Sequence, residues 1–131
     1  MTHTILIIED NQNIRRFIST ALTLEDYRVL EASTLQDGMT LAIGEQPNLI
    51  LLDLALPDGT GWEFLQAVRA QPEMHSVQVA ILTASADQGM ADRGLAAGAV
   101  AFITKPISAG DLIAFVRKTL GANQAASTRS K

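Results

Sequence analysis

Three runs of apolar residues constrain this chain more than any other feature: Ile5-Leu6-Ile7-Ile8, Leu49-Ile50-Leu51-Leu52 and Val77 to Leu82. A strand with one face in water alternates apolar and polar residues, whereas a near-continuous apolar strand must be covered on both faces. That condition is met in parallel sheets flanked by helices. A weaker run lies at Val100 to Ile103, and a fifth short strand is expected at Arg28-Val29-Leu30.

Between the runs the period changes from two to 3.6. Ile14, Phe17, Ile18, Ala21 and Leu22 follow the i, i+3, i+4, i+7, i+8 rule for one buried helix face. Leu35, Met39, Ala42 and Ile43 form a second stripe, Trp62, Leu65 and Val68 a third, and Leu112, Phe115, Val116 and Leu120 a last one. The segment from Asp87 to Ala97 also reads as helix, and Gly89 and Gly94 each weaken it by roughly 1 kcal/mol relative to alanine. Strand and helix thus alternate five times, and right-handed crossovers between parallel strands then give a doubly wound α/β sandwich with helices on both faces. Pattern alone does not give the strand order.

The chain of 131 residues suits one domain, expected over residues 1–121. Residues 122–131 lack apolar periodicity and read as a flexible tail or the start of a linker. Apolar residues make up 47% and charged residues 18%, as in an ordinary folded globule. With 14 acidic against 10 basic residues the net charge is −4, which argues against direct contact with nucleic acid or anionic lipid. There is no cysteine, so disulfides, thiolate chemistry and thiolate-bound zinc are excluded. No run reaches membrane-spanning length and no secretory pattern follows Met1, so a cytoplasmic location is expected.

Ligands of open α/β sheets gather at the carboxyl ends of the strands, which puts weight on the residues that end each one. The first strand ends in Glu9-Asp10, the third in Asp53, the fourth in Thr83-Ala84 and the fifth in Thr104-Lys105-Pro106. Each has an ordinary explanation alone. Glu9, Asp10 and Asp53 could cap helices, Thr83 suits a strand, and Lys105 could be a solvated surface lysine. Their coincidence at converging strand ends points instead to a site. Carboxylates brought together there repel unless a hard cation holds them, and an all-oxygen donor set favours magnesium over zinc. With Lys105 and Thr83 to meet further oxygens, this is the outline of a phosphoryl-transfer site.

Four motifs in order, Ile-Ile-Glu9-Asp10-Asn, Leu-Leu-Asp53-Leu-Ala-Leu-Pro57-Asp-Gly59, Leu-Thr83-Ala84 and Phe102-Ile-Thr-Lys105-Pro106, resemble the receiver domains of two-component response regulators over roughly residues 4 to 120. The resemblance implies a flavodoxin-like, five-stranded parallel sheet of order 2-1-3-4-5. It implies that Asp53 accepts a phosphoryl group, and that Glu9, Asp10, Asp53 and the backbone carbonyl of Ala55 bind Mg2+. Thr83 and Lys105 would contact the phosphoryl group, the Lys105–Pro106 bond would be cis, and Thr83 with Phe102 would form the switch. A histidine kinase or phosphotransfer protein would be the donor, and the domain would be a regulatory phosphoacceptor rather than an enzyme acting on other molecules. A phosphorylation-dependent homodimer is a further expectation. Ala55 and Ser85 occupy positions that in the family tune loss of the phosphoryl group. His3 and His75 are expected to be exposed, and neither is marked as a donor. Gly89, Gly94 and Gly98 either let the fourth helix respond or simply permit close packing.

Two rival classes fit less well. A flavin binder of the same architecture needs neutral hydroxyls and amides after the first strand, where Glu9-Asp10 stands. A haloacid-dehalogenase-like phosphatase is hinted at by Asp58-Gly59-Thr60, yet Leu56 occupies the place of the nucleophilic aspartate. Whether the receiver works alone or as the input domain of a longer regulator is not readable, nor are its cognate kinase and output.

Overall fold

A computed structural model describes residues 2–74, 76–84 and 88–121. Five strands, β1 (Thr4–Ile8), β2 (Arg28–Ala32), β3 (Leu49–Asp53), β4 (Gln78–Thr83) and β5 (Ala101–Thr104), make one parallel sheet in the order β2-β1-β3-β4-β5. A separate two-residue antiparallel ribbon, Ala55–Leu56 with Gly59–Thr60, follows β3. The helices are α1 (Gln12–Thr23), α2 (Leu35–Glu45), α3 (Gly61–Arg69), α4 (Gln88–Ala96) and α5 (Ala109–Leu120), with a 3-10 turn at Pro72–Met74.

The apolar runs become the inner strands because only there are both faces covered. Alternate residues of β1 divide between two cores. Leu6 and Ile8 pack with Ile50, Leu52, Val79 and Ile81 under α2, α3 and α4. Ile5 and Ile7 pack with Leu49, Leu51, Ala80 and Leu82 under α1 and α5. Each such large aliphatic side chain contributes about 1.5–3 kcal/mol by leaving water. The edge strands β2 and β5 are only partly covered, and their sequence signal is correspondingly weak. Among the described residues no helix is long and apolar enough to cross a membrane.

Four helix starts carry side-chain caps: Asn11 accepts from Ile14 N, Thr34 from Asp37 N, Thr60 from Glu63 N in a full capping box, and Ser108 from Asp111 N. The acids that could have served as caps, Glu9, Asp10 and Asp53, do not cap α1 or α3, which leaves their carboxylates for other work.

Several expected core positions are corrected. Phe17 is 46% and Ile43 43% exposed. Phe17 lies about 90° from the mean direction of the buried Ile18, Ala21 and Leu22 at 100° per residue, while Leu41 packs on the core where Ile43 was expected. In α3 the buried positions include Phe64. His3, expected to be exposed, is half-buried, its ring centroid 6.4 Å from that of Tyr27. His75, Ser85, Asp87 and the 122–131 segment lie outside the described residues.

Candidate functional site

The carboxyl ends of β1, β3, β4 and β5 meet at one edge of the sheet, as the parallel register requires. Asp53 ends β3, and Leu82 of β4 is its register partner. Its carboxylate is buried at 7% exposure, and Oδ1 accepts a long bond from Ala55 N at 3.4 Å. Glu9 follows β1 and is also buried, whereas Asp10 is exposed. One carboxylate oxygen from each of Glu9, Asp10 and Asp53 lies within 4.8 Å of the others.

Lys105 closes the cluster. Its Nζ stands 2.6 Å from Glu9 Oε1 and 3.5 Å from Asp53 Oδ2, with the side chain largely buried. Its backbone N–H donates to the Thr83 carbonyl at 2.7 Å, so two expected site residues are tied through the main chain, and the Lys105–Pro106 bond is cis as expected. Glu9 Oε2 accepts from Asn11 N at 3.0 Å. Burial raises the Glu9 pKa above the usual carboxylate value; the Lys105 and Asn11 hydrogen bonds oppose this, and the Asp53 charge adds to it.

The donor set fits a hard divalent cation. The three carboxylates offer only oxygen, they lie close enough to share one ion, and the exposure of Asp10 leaves an open side on which water ligands can remain. Ala55, exposed, begins the ribbon two residues after Asp53.

Phe102 lies on β5, half-buried and against α4. A methyl group on Gly94 would stand 3.1 Å from Phe102 Cδ2 and 3.2 Å from Ile81 Cδ1, so this glycine does serve close packing of α4 on β4 and β5. Gly98 has φ +106° and abuts the Arg69 side chain.

Three supporting residues were not anticipated. A Cβ on Gly61 would fall 2.8 Å from the Asp53 carbonyl, so only glycine lets α3 start this close to the end of β3. Asp58 accepts the Leu35 and Gln36 N–H groups at 2.8 and 3.0 Å, tying the loop after β3 to the start of α2. Arg15 reaches back from α1 to the Glu9 carbonyl at 2.8 Å. The glycine following the capping Thr60 was a visible signal; the other two contacts span elements whose pairing the sequence does not reveal.

A family model for the response regulator receiver domain matches residues 5–117. The KDP operon transcriptional regulatory protein KdpE of Escherichia coli K12 is 42% identical over 121 residues, 92% of this chain and 52% of that protein. The response regulator ArlR of Staphylococcus aureus is 39% identical over 116 residues, 88% and 52% of the two chains. The chemotaxis response regulator CheY4 of Vibrio cholerae has the same fold, with a TM-score of 0.86 at 26% identity over 92% of this chain and all of that one. The chain belongs to the response regulator receiver domain family. It spans about half the length of the curated relatives it matches.

Proposed function

We propose that this receiver is a phosphorylation switch in which Asp53 takes a phosphoryl group from a phosphohistidine of a histidine kinase or phosphotransfer protein. The observation that carries the reading is the buried Asp53 carboxylate at the end of a central strand, with Lys105 Nζ at 3.5 Å and the Glu9 and Asp10 carboxylates alongside. An Asp53 carboxylate oxygen forms a bond to phosphorus as the phosphorus–nitrogen bond to the histidine breaks. The electron pair stays on the imidazole nitrogen, which then takes a proton.

Glu9, Asp10, Asp53 and the Ala55 carbonyl would hold Mg2+, which when bound neutralises charge on the transferred phosphoryl oxygens. Lys105 supplies a second positive charge at the Asp53 side, and the Thr83 hydroxyl is the group on β4 suited to donate to a phosphoryl oxygen. Drawing Thr83 toward the new anion vacates space behind it, into which Phe102 turns, and the Gly94 contact passes that change to α4. The phosphoryl group biases two existing conformations by its differential affinity for them.

The functional unit in this reading is residues 1–121, with 122–131 as tail or linker, acting in the cytoplasm as a regulatory phosphoacceptor whose only chemistry is gain and loss of its own phosphoryl group. Its output is a protein partner, a linked effector domain or a phosphorylation-dependent homodimer, not direct nucleic acid contact by this domain. Regulators related to this chain are named as transcriptional regulators and are about twice its length. Reduction of phosphorylated protein with borohydride, followed by peptide mapping, tests the acceptor. The expected product is homoserine at position 53; homoserine elsewhere contradicts the assignment.

A further inference from the structure

The acidic pair leaves the sheet just where backbone order runs out. Glu9 N–H still donates to Ala32 O at 3.0 Å, the last rung between β1 and β2. The next peptide group joins Glu9 to Asp10 and has no strand partner among the described residues. The Asp10 side chain makes no hydrogen bond among the described residues, so the placement of this peptide sets where its carboxylate can reach. The Glu9 carbonyl accepts instead from Arg15 Nη1 at 2.8 Å, while Arg15 Nε binds Glu31 Oε1 on β2 at 3.1 Å. The Arg15 side chain is only 16% exposed and is held at both ends of its guanidinium.

We propose that Arg15 is a positioning residue for the divalent-cation site, extending the order of β1 by one peptide so that Glu9 and Asp10 present their carboxylates together. Helix formation does not require this contact, because Asn11 already caps α1 and arginine's helix propensity is met without it. A planar guanidinium suits this role because it serves two acceptors at fixed angles, one on the loop and one on the neighbouring strand. Glu31 keeps the partly buried cation paired and aimed. The inference rests on the reading of Glu9, Asp10 and Asp53 as the magnesium site.

The test is a MgCl2 titration of the full chain followed by amide NMR shifts near residues 9–11 and 53–55. Native protein, Arg15→Ala, Arg15→Lys and Glu31→Gln are compared, with urea unfolding of each as the measure of stability. Outer-sphere partners of metal ligands typically alter metal affinity about 10–100-fold, so Arg15→Ala is expected to bind Mg2+ about tenfold more weakly. Its labelling rate by acetyl phosphate should return to the native value at saturating Mg2+. Arg15→Lys, with one ammonium for two acceptors, should fall between, and it carries the test alone if the alanine variant does not fold. Reduced stability with unchanged Mg2+ affinity in these variants would overturn the role of Arg15 and leave the site reading standing. A native chain whose amides do not respond to Mg2+ would overturn the site reading itself, and this inference with it.

Discussion

Lys105 is bound more closely to Glu9 than to Asp53, at 2.6 Å against 3.5 Å. The cation opposite the candidate acceptor is thus held by an acid that is also a candidate magnesium ligand. Lys105→Met keeps the aliphatic stem and leaves the buried Glu9 carboxylate without its cation. Removing one member of a buried pair is strongly unfavourable, and a loss of about 3 kcal/mol is expected in metal-free urea unfolding. Mg2+ affinity should rise, because the competitor for Glu9 is gone. A variant with native stability and native Mg2+ affinity would contradict the competition.

Asp58 ties the loop after β3 to α2 through the Leu35 and Gln36 amides, and these bonds hold its pKa below the usual 3.8. A carboxylate with a depressed folded pKa contributes stability that is full above its unfolded pKa and is lost as pH falls through the folded one. Asp58→Ala should therefore be less stable than the native chain at pH 7, and the difference should shrink as the pH is lowered below about 3.8. A difference that stays constant down to pH 3 would show that the charge plays no part. Faster amide exchange at Leu35 and Gln36 in the variant is the local readout.

Two glycines of α2 should respond oppositely to the same substitution. A Cβ on Gly38 would stand 2.5 Å from Ile8 Cδ1 in the core, whereas one on Gly44 meets nothing within 4 Å. Gly38→Ala should destabilise by about 1–3 kcal/mol through overpacking. Gly44→Ala should stabilise by up to about 1 kcal/mol through helix propensity. Denaturant midpoints of the two variants check the pair, and equal shifts would mean that the helix does not approach β1 as described.

Gly61→Ala places a methyl group against the Asp53 carbonyl and Leu54 Cα. Both contacts are main chain, so either the end of β3 or the start of α3 must shift. Loss of phosphoacceptance is expected even where the fold survives, with circular dichroism near native and acetyl phosphate labelling slowed at least about tenfold, as small displacements of reacting groups produce. Labelling at the native rate would show that the shift leaves Asp53 in place.

Much of the fold was legible because strong local patterns coincide with buried geometry. The inner strands read as continuous apolar runs and lie within a residue of their observed bounds, as with Val77 to Leu82 against Gln78–Thr83. Of the residues that end the strands, Glu9, Asp10, Asp53 and Lys105 come together, and Thr83 is joined to Lys105 through its main-chain carbonyl. Less legible were features set by packing between elements. Phe17 and Ile43 fit the helical period yet lie outside the covered faces. The Arg15, Asp58 and Gly61 contacts join loops to elements elsewhere in the chain, and no periodicity encodes them. The Lys105–Glu9 pair spans the strands β1 and β5, whose separation in the sheet only the strand order reveals.

Everything proposed for the switch depends on Asp53 accepting a phosphoryl group with help from a divalent cation. The decisive measurement is intact-protein mass after incubation with acetyl phosphate, with and without Mg2+, for the native chain and for Asp53→Asn. One phosphoryl adduct is expected on the native chain, requiring Mg2+ and absent from a folded Asp53→Asn protein. An adduct of equal yield on the variant, or one formed equally well without Mg2+, would show that Asp53 is not a cation-assisted phosphoacceptor.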